Sequence, residues 1–323
     1  KSTASIPLGS IEILTMHPLD FEEFLWANDF GEEAIFEMRE RFTHEQSMSL
    51  AIHDRLMDLF RRYLLVGGMP DAVNTYLDSH NILKIREVQR DIHTLYGIDA
   101  AKYDHEHKLK INRIYKLIPS NLENQKKRLV FKDIEDKKGK RATDYMEDID
   151  YLINSGIALE VKAISNPKFP LIESESKNLL KLYLNDVGIL SGILFQNNIM
   201  AILEDIPSIN LGSLYECAVA QQLSANGHRL FYYDNKTQGE VDFLIDDFNN
   251  LSVLPLEIKS GKDYKRHSAL SRFVKTPDYN IRQGYVLSNA REVERSGNIV
   301  YIPVYYSIFL TPTNTLNLSQ NYV

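Results

Sequence analysis

Four charged residues in the last third of the sequence could hold a metal ion together. Asp242 lies in the segment GEVDFLID, and Glu257 and Lys259 lie in PLEIKS. Because residues two apart in a strand point to the same face, Glu257 and Lys259 are expected to project together. Asp242 can join them from a neighbouring strand, and Glu216 from a helix that packs on the sheet. Converging carboxylates would bind a hard cation such as Mg²⁺ or Mn²⁺.

Such a cation would support hydrolysis of a phosphodiester. It would polarise the phosphate and lower the pKa of an attacking water. Lys259 would orient that water or stabilise the developing negative charge. Glu257 and Lys259 stand in an otherwise apolar run, where charged residues are rare unless they are paired or functional. The alternative is a salt network between Lys259 and the carboxylates, in a fold that cleaves nothing.

The elements that must position these residues follow from the hydrophobic pattern. From about residue 208 the sequence predicts a helix (LGSLYECAVAQQLSANG) and three strands (RLFYY, EVDFLID and VLPLEIKS). A second helix (YKRHSALSRFVKT) and two strands (QGYVLS and NIVYIP) follow. The order αβββαββ is that of a mixed α/β sandwich.

Helices dominate the region before it. The runs LAIHDRLMDLFRRYLL and ILKIREVQRDIHTLY have apolar residues at helical spacing. Between them, Gly67 and Gly68 predict the end of one helix, and Pro70 predicts the start of the next. A helix over residues 144–155, ended by Gly156, precedes two strand-like runs, IALEVKAIS and NLLKLYLND. Helices followed by a two-stranded ribbon are the layout of a winged helix.

Composition limits the class of protein. The chain has 323 residues, a formal net charge of -7 and one cysteine, Cys217. The charge argues against a surface given over entirely to phosphate backbone, and the single cysteine excludes an internal disulfide or a cysteine-rich zinc site. No apolar run reaches the ~18 residues of a membrane span. We therefore expect a cytoplasmic protein that does not enter a membrane.

One basic stretch could nonetheless contact nucleic acid. Residues 126–141 hold eight Lys or Arg against three Asp or Glu, and such cations displace counterions from phosphate. The helix that follows is acidic and would be repelled by DNA. The best candidates for nucleic-acid contact are therefore the four basic residues before it: Lys137, Lys138, Lys140 and Arg141. The alternative is a solvated surface with interspersed acids.

A phosphate-binding loop is missing from the sequence. A P-loop requires G-x-x-x-x-G-K-[ST], in which glycine amides cradle phosphates. The Gly-Lys pairs are Gly139-Lys140 and Gly261-Lys262, and neither is followed by Ser or Thr. ATP binding therefore cannot be assigned to any residue of this chain.

The helix Glu, strand Asp and strand E-x-K, in αβββαβ order, are similar to those of the PD-(D/E)xK nuclease superfamily. One departure is Val241, which stands where a proline often precedes the first aspartate. The resemblance implies a polar residue at the start of the next strand that supports the site, and Gln283 matches that position. The catalytic residues that it implies are Glu216, Asp242, Glu257, Lys259 and Gln283, with Asp242, Glu257 and Glu216 as metal ligands.

The whole chain resembles a family of archaeal and bacterial AAA-type ATPases whose nucleotide-binding core is followed by a winged helix and a nuclease-like domain. The landmarks are GSIEILTMHPLDFEEFL, VGGMPDAV and the E-x-K domain. The resemblance implies an α+β fold in four parts: the tail end of the ATPase core (1–31), a helical lid (32–118), a winged helix (119–200) and an αβββαβ nuclease-like domain (201–323). In this family the first landmark follows the end of the nucleotide-binding core, so the resemblance implies a core upstream of Lys1. ATP would bind there, and homo-oligomers would form through it.

Two functions follow from this resemblance. The first is an ATP-dependent protein whose C-terminal domain is a Mg²⁺-dependent nuclease or binds nucleic acid. The second is a catalytically silent nuclease fold that acts, with the winged helix, as a DNA- or protein-binding module. An open cleft between the four charged side chains would favour the first function, and a cleft occupied by a salt bridge would favour the second.

Overall fold

The structure, a computed structural model, describes residues 14–99, 105–135, 142–174, 176–204, 206 and 209–312. The predicted opening strand around Ile11 and Ile13 lies outside the described residues. So do the four candidates for nucleic-acid contact: Lys137, Lys138, Lys140 and Arg141. Within the described part of the chain, none of the helices combines the length and apolar character needed to cross a bilayer.

The first half of the chain is helical, as its periodicity predicts. The two runs with helical spacing form the third and fifth helices, and Gly67, with φ +74°, ends the third. Pro70 is the first residue of the fourth helix. The helices are α1 (Phe21–Ala27), α2 (Glu32–Thr43), α3 (Leu50–Val66), α4 (Pro70–Ser79), α5 (Ile82–Asp99), α6 (His105–Glu123) and α7 (Met146–Asn154).

Among its described residues, the second half combines one eight-stranded mixed sheet with four further α-helices. The strands lie in the order β2-β1-β3-β4-β5-β6-β8-β7. They are β1 (Ala158–Ile164), β2 (Ser176–Leu184), β3 (Leu230–Asn235), β4 (Gly239–Asp247), β5 (Ser252–Lys259), β6 (Gly284–Ser288), β7 (Glu294–Ser296) and β8 (Ile299–Pro303). The helices are α8 (Val187–Phe195), α9 (Met200–Leu203), α10 (Gly212–Ala225) and α11 (Ser268–Phe273).

The mixed α+β class is confirmed, and so is the predicted order from residue 208 of a helix, three strands, a helix and further strands. The sequence did not predict β7, a three-residue strand that pairs antiparallel with β8. Its residues are all exposed, so no apolar alternation marks it as a strand.

The two-stranded ribbon differs from the prediction. β1 pairs antiparallel with β2, but it also pairs parallel with β3, with Val161 opposite Leu230. The ribbon therefore belongs to the sheet of the C-terminal part, not to a separate winged helix. The physical reason is burial: Val161 and Ala163, on one face of β1, are buried, and helices α7 and α10 pack against this strand. The four predicted domain boundaries remain a prediction.

Helix α10 forms part of the layer on one face of the sheet. Every residue from Ser213 to Leu223 is buried, because the helix packs between the sheet and helices α3 and α8. A helix that is apolar on all sides is typical of a core position. Consequently, Glu216 in its second turn is carried into the interior. The short helix α11 packs against β4 and β5 within a second apolar cluster.

The Gly67–Gly68 turn joins three parts of this architecture. Leu19 donates its backbone N–H to the Gly68 carbonyl at 2.8 Å, and Gly68 donates to Asp186 Oδ2 at 2.6 Å. A Cβ atom built on Gly68 would lie 1.9 Å from the Leu19 carbonyl oxygen. The turn therefore requires glycine because two backbone segments touch there.

Candidate functional site

Glu216 is the innermost acid of the candidate site. It is 4% exposed, and its Oε2 accepts a hydrogen bond of 2.8 Å from the hydroxyl of Tyr183 on β2. Its Oε1 is in contact with the Nζ of Lys127, which lies in the segment that follows α6. Burial alone would raise the pKa of Glu216, but the positive charges of Lys127 and Lys181 bring it below its usual value. Glu216 is therefore a charged carboxylate held by a buried ion pair.

Glu257 and Lys259 project together from β5. Lys259 Nζ lies 2.7 Å from Glu257 Oε1, and Glu257 is 7% exposed. Burial raises the pKa of Glu257, and the nearby Lys259 charge partly opposes that rise. Its other oxygen, Oε2, is buried and accepts no hydrogen bond from the described residues. This unpaired oxygen is unusual, since buried polar atoms in native proteins are nearly always satisfied.

Asp242 stands beside them on β4. The last paired residues of β4 and β5 at this end are Phe243 and Leu256, and just beyond them Asp242 Oδ2 accepts the backbone N–H of Ile258 at 2.8 Å. Burial, followed by the negative charges of Glu216 and Glu257, raises the pKa of Asp242 well above its usual value. The negative charges of the three acids therefore act on one another.

Two further charged residues of the site come from β2 and β4. Lys181 is 0% exposed; its Nζ lies 2.6 Å from Glu240 Oε1 and 4.6 Å from the centre of the Tyr232 ring. Glu240, on β4, is the second of these two residues. We call the following eight residues the charged cluster: Glu216, Asp242, Glu257, Lys259, Lys127, Tyr183, Lys181 and Glu240. It sets three ammonium groups against four carboxyl groups.

Sequence reasoning missed half of the charged cluster. Lys181 and Tyr183 stand in the apolar run NLLKLYL. A charged residue in an otherwise apolar run is the feature that pointed to Glu257 and Lys259, and Lys181 shows it too. Lys127 had no such signal, because it lies in the basic stretch 126–141 and looked like a surface cation. In the structure, Lys127 and Arg128 both point inward, and Arg128 Nη2 pairs with Asp234 Oδ1 at 2.9 Å.

A divalent cation does not fit this arrangement of side chains. Both oxygens of Glu216 are engaged, and so is one oxygen of Asp242 and one of Glu257. Among the residues that the structure describes, no group of three or more His, Cys, Asp or Glu side chains could hold a metal ion. The lysines supply the positive charge that a metal would bring: two of the predicted Mg²⁺ or Mn²⁺ ligands, Glu216 and Glu257, are held in ion pairs, and the third, Asp242, accepts a backbone N–H.

Gln283 lies with a different set of residues. Its Nε2 donates to the Tyr285 hydroxyl at 3.2 Å, and its Oε1 accepts from Arg295 Nη2 at 3.3 Å. Arg295 in turn pairs with Glu45, two residues after the end of α2. These contacts place Gln283 beside the Arg295–Glu45 ion pair, and none of the hydrogen bonds that it makes to described residues reaches the charged cluster.

A cleft of about 980 Å³ lies elsewhere on the molecule. It is bordered by the segment before α1, by the start of α4 and by the strands β1 and β3, with Tyr96, Asn185 and His228 among its lining residues. It shares no residue with the charged cluster. The buried ion pairs and the cavity therefore mark two different places, and the cleft is lined by ionisable residues of its own, including His17, Glu160 and His228.

Two family models match parts of the chain. Residues 57–198 match a domain of unknown function, DUF8612, and residues 211–306 match another, DUF4143, which is often seen in AAA-ATPase-associated proteins. No AAA or nuclease family is matched. No curated protein and no solved structure matches the chain. The charged cluster draws on both matched regions, with Lys127, Lys181 and Tyr183 from the first and Glu216, Asp242 and Glu257 from the second.

Proposed function

We propose that this chain is a nucleic-acid-binding module of an AAA-type ATPase, and that its nuclease-like sheet cleaves nothing. The observation that carries the proposal is the ion pair between Lys127 and Glu216. Metal-dependent hydrolysis needs carboxylate oxygens that are open to a cation. Lys127 and Tyr183 take both oxygens of Glu216, so the innermost ligand position is already filled.

The energetics favour the state in which Lys127, and not a metal ion, is paired with Glu216. A divalent cation would have to separate Lys127 from Glu216 and leave a buried ammonium without its partner. Breaking one side of a buried ion pair costs roughly 3–5 kcal/mol. Metal binding would have to offset that cost, so the cluster serves as an internal salt network that fixes the segment after α6 against the sheet.

Nucleic acid is the partner that the charge distribution supports. Lys126 and Lys132 are exposed on the same stretch whose next residues are the basic run 137–141. With a net charge of -7, the chain as a whole repels phosphate, so we expect contact at a local basic stretch such as this one. A patch of this kind binds the backbone without reading bases.

The test of binding is fluorescence anisotropy with a labelled DNA duplex over a series of salt concentrations. Changing Lys137, Lys138, Lys140 and Arg141 to Ala should weaken binding and lower the salt slope by up to ~3–4, at about 0.9 per phosphate contact. The matched control changes four exposed basic residues elsewhere: Lys236, Lys262, Lys275 and Arg282. An equal loss in both variants, or no DNA binding by the wild type, would exclude the basic stretch and leave a protein partner as the alternative.

A second candidate function is a Mg²⁺-dependent nuclease, and the unpaired Oε2 of Glu257 favours it. One assay distinguishes the two functions: incubation of the protein with DNA or RNA in the presence of Mg²⁺ or Mn²⁺. The silent domain should leave both intact. Cleavage that Glu257→Gln and Lys259→Met each abolish would establish the nuclease and overturn our proposal.

A further inference from the structure

Arg86 on α5 is a buried cation that has no counter-ion among the described residues. It is 7% exposed, and burial lowers its pKa to about 10, with no described charge acting against that shift. Arginine stays charged in proteins, and a charge in the interior is unfavourable unless an opposite charge accompanies it. The position of Arg86 therefore calls for an anion.

The hydrogen bonds of Arg86 go to neutral groups and leave one nitrogen without an acceptor. Its Nε donates to the carbonyl of Gln196 at 2.9 Å. Its Nη1 donates to Gln89 Oε1 at 2.6 Å and to Ser191 Oγ at 3.0 Å. Its Nη2 is buried and donates to no described residue. The contacts fix the guanidinium between α5 and the residues of α8, but they provide only partial negative charges.

A cavity of about 600 Å³ lies against Arg86. Arg90 and His93 also line it, and positions i, i+4 and i+7 share one face of a helix. Among the described residues that line the cavity, Glu87 is the one acid. Burial lowers the pKa of His93, and the charge of Lys116 on α6 lowers it further. Positive charge therefore exceeds negative charge at this place, although the chain as a whole is acidic.

The opposite wall of the cavity is mostly apolar. It is formed by Ile189, Gly192 and Ile193 of α8 and by Gln196 and Asn197 after it. The volume falls within the range of small-molecule sites, roughly 300–1,000 Å³, and such sites combine an apolar lining with a few polar groups that orient the ligand. The cavity is therefore larger than a free inorganic ion needs.

We propose that this cavity binds a small molecule that carries a phosphate group, with the phosphate at Arg86 and Arg90 and the rest of the ligand along α8. A guanidinium matches phosphate by two parallel hydrogen bonds, and a doubly charged group suits two arginines. A side chain that is 7% exposed lies too deep for the backbone of a nucleic-acid duplex. The inference goes beyond the proposed contact with nucleic acid and does not depend on it.

The experiment is equilibrium dialysis of the whole chain against labelled inorganic phosphate, with the ionic strength held constant by chloride. The wild type should bind one phosphate per chain. Arg90→Ala should weaken binding at least about tenfold, because it removes a charge-assisted hydrogen bond. The matched control is Lys84→Ala, which removes an exposed cation from the same helix but not from the cavity, and it should bind like the wild type. Phenyl phosphate, which adds an apolar ring, should displace the label at lower concentration than unlabelled phosphate does.

A wild type without saturable phosphate binding would overturn the inference, and so would equal affinities of Arg90→Ala and Lys84→Ala. Phenyl phosphate that competes no better than free phosphate would also count against it, since the apolar wall would then contact no ligand. Arg86→Lys keeps the charge but not the planar fork, and it should bind phosphate at least about tenfold more weakly. If this variant does not fold, the comparison of Arg90→Ala with Lys84→Ala decides alone. Loss of DNA binding in Arg90→Ala without any phosphate binding would assign the cations to nucleic acid instead.

Discussion

Lys127 and Glu216 are 89 residues apart in the chain, and their side chains form an ion pair in the interior. The pair joins the end of the helical half to the central helix of the sheet half. Because Tyr183 donates to the same carboxylate from β2, three separate stretches of sequence depend on one side chain. Removing the Glu216 carboxylate should therefore lower the stability of the whole chain.

A double-mutant cycle on this pair is the first prediction. Lys127→Met and Glu216→Gln should each lower the free energy of unfolding by roughly 3–5 kcal/mol, because each leaves a buried group without its partner. The double variant should lose far less than the sum, since neither charge is then left alone. Urea denaturation of all four proteins gives the coupling. Simple additivity would mean that the two side chains do not interact.

The glycine turn gives the second prediction. In Gly68→Ala the new Cβ would meet the Leu19 carbonyl oxygen at 1.9 Å, and a backbone atom cannot rotate away. We expect a loss of at least about 3 kcal/mol, the upper part of the range for overpacking. Gly261→Ala is the control, because its Cβ would meet nothing within 4 Å. Equal melting temperatures for the two variants would contradict the close approach.

Local features of the fold were predictable because they depend on neighbours in sequence. The end of α3 at Gly67 and the start of α4 at Pro70 follow from backbone chemistry that any sequence shows. The shared face of Glu257 and Lys259 follows from the two-residue period of a strand. Each of these needed only a few adjacent residues.

Membership of the sheet was not predictable in the same way. The run IALEVKAIS is equally consistent with a strand of a separate two-stranded ribbon and with a strand between two others. The periodicity of a strand does not show which other strands it pairs with. The pairing of β1 with β3 joins residues about 70 positions apart, such as Val161 and Leu230, and no local signal encodes it. Lys127 poses a similar problem, since the sequence of a basic stretch does not distinguish a lysine that is 16% exposed from one on the open surface.

The third prediction concerns nucleotide. No segment of the sequence has the glycine spacing and the Lys-Ser or Lys-Thr pair of a P-loop. Titration calorimetry of this chain with millimolar ATP and Mg²⁺ should therefore give no saturable heat. The same chain with Lys262→Ala, which removes one of the two Gly-Lys lysines, should give an identical trace. A defined stoichiometry in the wild type would show that another element cradles phosphate.

The last prediction is a pH dependence that arises at Asp186, the N-cap of α8. This side chain is completely buried, and burial raises its pKa to about 6, although the N–H groups of Gly68 and Ile189 act in the opposite direction. An acid whose pKa is higher in the folded state contributes stability below its unfolded pKa of about 4 and loses it as the pH rises through about 6. Asp186→Asn cannot ionise, so the stability of wild type relative to this variant should fall by about 3 kcal/mol between pH 4 and pH 7, at 1.36 kcal/mol per pKa unit.

Urea denaturation of both proteins across that range measures the difference, and the variant keeps an oxygen that can accept the Gly68 N–H. Asp78→Asn, which changes an exposed aspartate of α4, is the control for a general effect of removing one acid. A wild-type advantage that stays constant, or that grows as the pH rises, would mean that the backbone N–H groups outweigh burial. Asp186 would then be an ordinary charged N-cap, stabilised by the helix dipole and by the glycine turn that it holds in place.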